Sequence, residues 1–481
     1  MNDVDVVVVG SGPGGLQTSY FLSRLGVAHV TISADDAPGG MFRKWPIFQR
    51  LLSWSKPDAP FPRTSREYEW FDHNSLVAEE PELRGLVPTF MDRTWAVPSR
   101  AEMEAGLAAF ADQAGVAVRY GCRWTGTRRE DDGRLVLETS EGEYRCRAAV
   151  FALGVTAPWK SPIPGIEDVP HYAETGDPSL YAGKRVLVIG KRNSGFELAD
   201  GLLPWAQRVL LVSPRQPEIS VLAHASVRVR YFQPLEDSAL GGGTHVLDAA
   251  IERIERAGAG FRVLASGTTR PGDFDLECDV AIAATGFSTP LVDLEELGVR
   301  TVAQGRIPAM GPFFEAADGV YFAGNATQGA AGLKKRGVGA SSPAVHGFRY
   351  NARVLTEHLA ERLGVRDRQR RPVDDLVSFL AAELAGAPEL WAQKGYLARV
   401  VGLDGPFDDG IQPLEHFVDA AGPDAVAVTV EMDAEGEIFP VVYVRRGGAI
   451  REVELEPDPL NAFDSEPYRH ELSLLLNGKE R

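Results

Sequence analysis

The sequence predicts an α/β fold with two Rossmann-like dinucleotide-binding domains, the second inserted in the first, and a small C-terminal α+β appendage. Three observations predict it. A run of four valines, Val6 to Val9, leads into Gly10-Ser11-Gly12-Pro13-Gly14-Gly15. Far downstream, Val186-Leu187-Val188-Ile189 leads into Gly190-Lys191-Arg192-Asn193-Ser194-Gly195. Two further apolar strands end in turns of Ala-x-Gly type, Ala152-Leu153-Gly154 and Ala284-Thr285-Gly286. One glycine-rich turn is weak evidence of a nucleotide site, but two, each between an apolar strand and a helix, imply two dinucleotides. One would be FAD and the other a nicotinamide dinucleotide.

Each element follows in order. Four consecutive valines suit a central parallel strand covered on both faces. Gly10 permits the tight turn, Gly12 lets backbone approach a pyrophosphate, and Gly15 lets the next helix pack on the sheet. The helix from Pro13 to about Leu25 aims its N-terminal amides at the phosphates, Gly26 closes it, and Val30-Thr31-Ile32 forms the next strand. Residues 39–98 form a long irregular stretch rich in aromatics, including Trp45, Phe48, Trp54, Phe61, Tyr68, Trp70 and Phe71. Such an insertion is a functional surface or lid, or else a hydrophobic packing insert. A helix over 100–114 follows, then short strands and the buried strand Ala148–Leu153. Pro158, Pro162 and Pro164 mark the passage into the second unit, which starts near Lys184 and closes on the strand 279–286. Residues 319–325 return the chain to the first domain. The expected domains are 1–158 and 294–365 for FAD, 159–293 for NAD(P)H and 366–481 for the appendage. In the last, a helix over 373–394 precedes strands Ala427–Met432 and Ile438–Val444, turning at Glu435-Gly436, and then Ile450–Leu455.

Composition bounds the rest. The 481 residues are 44% hydrophobic and 24% charged, with a formal net charge of −17. That charge argues against nucleic acid and anionic membranes as partners. Cys122, Cys146 and Cys278 are too widely spaced for a disulfide framework, a zinc site or a redox cysteine pair. There is no apolar run of membrane-span length and no signal peptide, so a cytoplasmic protein is expected.

These motifs resemble the two-dinucleotide flavoproteins, particularly the flavin-containing monooxygenases and N-hydroxylases, over residues 4 to about 362. Gly39-Gly40-Met41-Phe42 resembles the family's step along the flavin pyrophosphate. Ser53-Trp54-Ser55-Lys56 with Phe61-Pro62 resembles the segment lining the flavin, and Gly324-Asn325 falls at the Ala-Gly-Asp position that contacts the ribityl chain. Four positions depart from the family pattern. Ser33 stands where an acid binds the adenosine ribose, with Asp35 or Asp36 as substitutes, and its hydroxyl has one hydrogen bond to offer. Arg192 replaces the middle glycine of the second turn, where it either blocks the pyrophosphate or grips it. The signature before that turn is partial, with His171 retained. Ser53 occupies the position of the active-site asparagine. Ser213 with Arg215, at the end of the strand Val209–Val212, suits a 2′-phosphate, so NADPH is the expected donor.

The resemblance implies an NADPH-using monooxygenase. Hydride passes to flavin, dioxygen is captured at C4a, and the resulting hydroperoxide oxygenates nitrogen or sulfur in a small metabolite. Ser53 and Asn325 are the candidate catalytic residues beside the flavin. Cofactor contacts are expected from Gly10, Gly12, Pro13, Gly14, Gly15, Ser33, Gly40, Met41, Phe42, Gly154, Gly324 and Asn325. In the second unit they are expected from Gly190, Arg192, Asn193, Ser194, Gly195, Ser213, Arg215 and Gly286. No metal is expected. Lys334-Lys335-Arg336 is either a solvated loop or a holder of substrate carboxylate, phosphate or flavin charge. His171, His346, Glu197 and Asp200 read as packing, capping or solvated residues. Two alternatives stay open: a flavin reductase or dehydrogenase without oxygen insertion, and a flavoprotein whose nicotinamide site is lost. The appendage caps the site, mediates dimerisation or binds a carrier; a homodimer is the default oligomeric expectation.

Overall fold

In the computed structural model, residues 2–44, 50–217, 243–332, 340–433 and 435–478 are described. Trp45, Phe48, Lys334, Lys335 and Arg336 lie outside the described residues. The chain divides into two units: Met1–Gly40 with Ser53–Val155 and Thr289–Arg481, and Met41–Leu52 with Thr156–Ser288. Among the described residues, no helix is long and apolar enough to cross a membrane.

The first unit is built on Asn2–Val9, in which Val6 to Val9 are at most 4% exposed. This strand pairs in parallel with His29–Ile32 on one side and Gly142–Phe151 on the other. Val320–Phe322 continues the sheet beyond Gly142–Phe151, and Val118–Arg119 extends it beyond His29–Ile32. The central strand is a continuous apolar run, as a parallel strand covered on both faces must be. The helix Pro13–Leu25 ends as expected at a left-handed Gly26, and a second helix covers Arg100–Gln113 behind a Ser99 capping box.

The appendage groups with this unit. Its antiparallel sheet runs, in spatial order, Arg371–Pro372, Phe407–Pro413, Leu397–Gly402, Ala425–Met432, Ile438–Arg446 and Ala449–Glu454. The expected helix over 373–394 is instead two, Leu376–Gly386 and Pro388–Ala392. Pro388 has no N–H to continue the first helix and drives Ala387 out of the helical region, so it starts a new one.

The irregular segment after Ser53 is ordered from below by one residue. Arg349, in the helix Val345–Arg362, is 1% exposed and donates to the carbonyls of Asp72 and Ser75 at 2.8 Å and of Glu69 at 3.0 Å. From the other side Arg66 pairs with Glu383 at 2.9 Å and Glu389 at 2.7 Å, and Trp70 donates to the Gly386 carbonyl at 3.1 Å. An irregular chain buries many carbonyls with no ladder to satisfy them, and a guanidinium's five donors answer that need.

The second unit is a six-stranded sheet in the order Asp273–Cys278, Gly260–Gly267, Thr244–Ala257, Arg208–Ser213, Arg185–Ile189, Val280–Ala283. The last four strands run parallel, and the first two form an antiparallel meander with the far half of Thr244–Ala257. The helix Asn193–Leu202 packs Phe196, Leu198, Ala199 and Leu202 onto it.

Arg349→Met keeps the volume but strands three buried carbonyls. We expect it to cost about 3–5 kcal/mol in urea unfolding, with proteolysis cutting first within 53–98. A loss below about 1 kcal/mol would mean that the clamp is dispensable.

Candidate functional site

The first turn is a cradle made almost entirely of backbone. Gly10 adopts φ +119°, and a Cβ there would lie 2.4 Å from the Ala152 carbonyl oxygen. A Cβ on Gly15 would lie 1.9 Å from the Gly10 oxygen, and one on Gly14 would lie 2.5 Å from the Cα of Gly324. These three glycines are required by neighbouring backbone. Gly12 is different: a Cβ there meets nothing within 4 Å, although its backbone is extended and open to any residue. The space in front of Gly12 suits a pyrophosphate, facing the first amides of a helix whose opening turn carries no acid. Pro13 takes the first helical position, where no N–H is needed.

Around the cradle, Gly39 donates to the Ser11 carbonyl at 3.2 Å, and the Cβ position of Gly40 comes within 3.1 Å of the Gly12 Cα. Met41 and Phe42, both partly exposed, follow in the 3₁₀ turn Gly40–Arg43. Asn325 closes the far side: its Oδ1 accepts the Val155 N–H at 3.0 Å, fixing the chain just beyond Gly154. The structure thus brings Gly10, Gly12, Gly14, Gly15, Gly40, Gly154, Gly324 and Asn325 together.

Ser33 is 3% exposed; its hydroxyl lies 2.8 Å from the Ser11 hydroxyl and accepts the Asp35 N–H at 3.1 Å, which makes it an internal brace between turn and strand.

Ser53 is half-buried, and its role depends on residues that sequence reasoning passed over. Its carbonyl accepts Asn74 Nδ2 at 3.0 Å, and the same amide donates to Ser55 Oγ at 3.0 Å. One Asp72 carboxylate oxygen accepts Ser55 Oγ at 2.5 Å and the amides of Asn74 and Ser75 at 3.0 and 3.1 Å. The signal was present as Asp72-x-Asn74-Ser75, an Asx-turn pattern inside an aromatic stretch. Beside it Trp54, His73 and His346 form a stack, with ring centroids 3.9 Å and 4.5 Å apart. Burial pushes the His73 imidazole down to about 3, with the Arg349 charge adding to it, so His73 is neutral at ordinary pH.

The second turn repeats the geometry. Gly190 has φ +126°, and a Cβ on it would lie 2.4 Å from the Ala284 oxygen; one on Gly195 would lie 2.3 Å from the Gly190 oxygen. Arg192 caps the helix in extended conformation, φ −110° and ψ −168°, so no glycine is required there for backbone reasons. Its side chain is exposed, and Asn193 and Ser194 begin the helix behind it. Ser213 ends the strand Arg208–Ser213, with exposed Arg215 two residues on. Two residues escaped the sequence reading. Lys191, 4% exposed, extends its amine to the Asp248 carboxylate and to the Leu247 carbonyl at 3.1 Å. Asp248 stands beside Ser213 in parallel register.

His171 has a structural place. Nδ1 accepts the Ala173 N–H at 3.1 Å, so Nε2 carries the proton and donates to the Gly286 carbonyl at 2.9 Å. Acceptance at Nδ1 needs the neutral ring, and burial lowers its pKa. Glu197 accepts the Tyr172 hydroxyl, a packing contact. All three cysteines are free and buried; burial pushes Cys146 up to about 12 and Cys278 up to about 11.

Comparison with known proteins agrees with this arrangement. The model of the pyridine nucleotide-disulphide oxidoreductases matches residues 7–324. A mouse protein, FAD-dependent oxidoreductase domain-containing protein 2, is 29% identical over 229 residues, which are 46% of this chain and 34% of the relative. The chain thus spans about a third of the length of that relative. The ferredoxin–NADP reductase of Salinispora tropica is 29% identical over 313 residues, 62% of this chain and 79% of its own. A flavin-containing monooxygenase from Stenotrophomonas maltophilia shares the fold at 22% identity and a TM-score of 0.58, covering 76% of this chain and 100% of that one.

Two outcomes follow. Gly12→Ala fits the backbone, so melting of the flavin-free protein should not change, whereas flavin retained on purification should fall at least about tenfold; unchanged flavin content would place the dinucleotide elsewhere. For His171 the folded pKa is lowered, so its contribution to stability is complete above about 6.5 and is lost as pH falls below that. Denaturant titrations from pH 7.5 to 5 should show this loss, and His171→Gln should make it shallower by up to about 1.4 kcal/mol per pH unit. An identical slope in the variant would contradict the neutral-ring bonding.

Proposed function

We propose, for a chain that belongs to the pyridine nucleotide-disulphide oxidoreductase family and is a flavin-dependent oxidoreductase, that it is an NADPH-using, FAD-dependent monooxygenase. Its substrate is a nitrogen or sulfur centre of a small metabolite, and dioxygen is the co-substrate. FAD would be held at the first turn by Gly12, Pro13, Gly14, Gly15, Gly40 and Asn325, and NADPH at the second by Gly190, Arg192, Asn193, Ser194, Gly195, Ser213 and Arg215. When bound, FAD supplies hydride acceptance and the activation of dioxygen. The chain's own part is to bind, orient and keep water out. The backbone cradle fixes the pyrophosphate, and Asn325 keeps the strand end at Gly154 in place.

The observation that carries the oxygenase reading is the construction of residues 53–98. This irregular stretch is held by Asp72, Asn74 and Arg349, and its Trp54 and His73 stack with His346 into an aromatic wall. Oxygen transfer requires a water-excluding surface; electron delivery to a protein acceptor does not. Thiol relay chemistry is unsupported, because a useful thiol needs a lowered pKa and burial raises those of Cys146 and Cys278. A second reading, a reductase that delivers electrons to a protein acceptor, is favoured by the ferredoxin–NADP reductase relative, 79% of which is matched.

The purified holoprotein should be mixed with NADPH and oxygen across a panel of amines, hydroxylamine precursors and thioethers, scoring oxygenated product against hydrogen peroxide. The monooxygenase reading expects at least one substrate to convert NADPH consumption largely into product. Peroxide accounting for all NADPH with every substrate, together with rapid reduction of ferredoxin, would establish the reductase instead.

A further inference from the structure

Lys191 is an unexpected residue for its place. In the first turn the second position is Ser11, a small residue that braces against the end of the next strand through the Ser33 hydroxyl at 2.8 Å. In the second turn the corresponding position carries a long cation, and its side chain is 2% exposed. Lys191 reaches past Ser213 to the following strand, where the Asp248 carboxylate receives it and the Leu247 carbonyl accepts at 3.1 Å. The second Asp248 oxygen accepts Thr269 Oγ1 at 2.8 Å. Asp248 and Ser213 are partners in the parallel ladder, side by side at the carboxyl edge of the sheet.

That edge is where a dinucleotide site of this architecture meets the adenosine ribose. A carboxylate there accepts the 2′- and 3′-hydroxyls of NADH and repels the 2′-phosphate of NADPH. Ser213 leaves the expected strand end without an acid, yet Asp248 supplies one a strand away. Burial alone favours neutral forms of both partners. The lysine loses affinity for its proton through desolvation, and the aspartate is brought back below its ordinary value by Lys191 and Thr269. The couple presents no net charge towards the ribose, and exposed Arg215 is left to set the sign of the field.

We propose that Lys191 is a specificity-determining residue of the second turn: by neutralising Asp248 it converts a site with an NADH-type acid into one that accepts the 2′-phosphate of NADPH. The inference rests on the proposed reading of this turn as the nicotinamide dinucleotide site, and it concerns binding, separately from the fate of oxygen. Lys191 and Asp248 act on recognition of the adenosine end alone, far in the cofactor from the reacting ring.

The test is calorimetric titration of the oxidised, FAD-loaded protein with NADP⁺ and with NAD⁺, which bind without turnover. Wild type should prefer NADP⁺. Lys191→Ser, which copies the first turn and exposes the Asp248 charge, should shift the affinity ratio towards NAD⁺ by about tenfold or more. Asp248→Asn should shift it the other way, and the double variant should return near the wild-type ratio. A Lys191→Ser protein that binds NADP⁺ with the wild-type ratio overturns the proposal. Should that variant fail to fold, an unchanged ratio in Asp248→Asn overturns it as well. Failure of the wild type to bind either nucleotide is a different result: it removes the dinucleotide reading of the second turn itself.

Discussion

The guanidinium of Arg349, sealed inside the first unit and bonded to the carbonyls of Glu69, Asp72 and Ser75, is the contact on which the rest of the candidate site depends. A glycine cradle holds a dinucleotide wherever a strand meets a helix, and many proteins have one. What distinguishes this chain is the irregular segment 53–98, which belongs to the same unit as the cradle. Such a segment has no ladder to occupy its carbonyls, and its conformation would be one of many without an internal set of donors. Arg349 provides them from a regular helix, so the precision of the sheet is passed to a region with almost no regular structure. The Asp72 carboxylate, answering amides where Arg349 answers carbonyls, completes the arrangement.

The two turns show how one backbone solution tolerates different side-chain chemistry. In both, the first and last glycines are forced by neighbouring carbonyl oxygens, with nearly the same clearances. Between them the side chains differ, although Gly14 of the first turn is held to glycine by the Gly324 backbone. Ser11 and Ser33 form a small neutral brace, whereas Lys191 and Asp248 form a charged one that spans an additional strand. Arg192 belongs to the same freedom: its extended backbone never needed glycine, so the arginine reflects what the turn meets in solution.

Much of this was legible in the sequence wherever local chemistry dictates local shape. The valine strand, both glycine turns, the helix closed by Gly26 and the strands either side of Glu435-Gly436 follow from side-chain size and positive φ alone. Less was legible where partners are distant. Thr244–Ala257 is rich in alanine, glutamate and arginine, which favour helix; its pairing on both sides makes it a strand. Leu397–Gly402, Phe407–Pro413 and the helix Glu466–Leu476 carry short or mixed patterns that only the assembled appendage selects. The brace between the Ser11 and Ser33 hydroxyls was not legible either, because motif position says nothing about which neighbour a hydroxyl finds. Lys191 and Asp248 meet across 57 positions, and no local pattern joins them.

The ion pairs of Arg66 with Glu383 and Glu389 span 317 and 323 residues. On the ribosome, at roughly 5–20 residues per second, the segment around Arg66 emerges tens of seconds before the carboxylates that receive it. Until then Trp70 and its neighbours are displayed to whatever else the cell contains. Glu383 and Glu389 therefore join the wall late in synthesis, although they belong to the same unit. A nascent chain stalled before residue 383 would carry a nucleotide fold with an unfinished roof, the form a chaperone is most apt to meet.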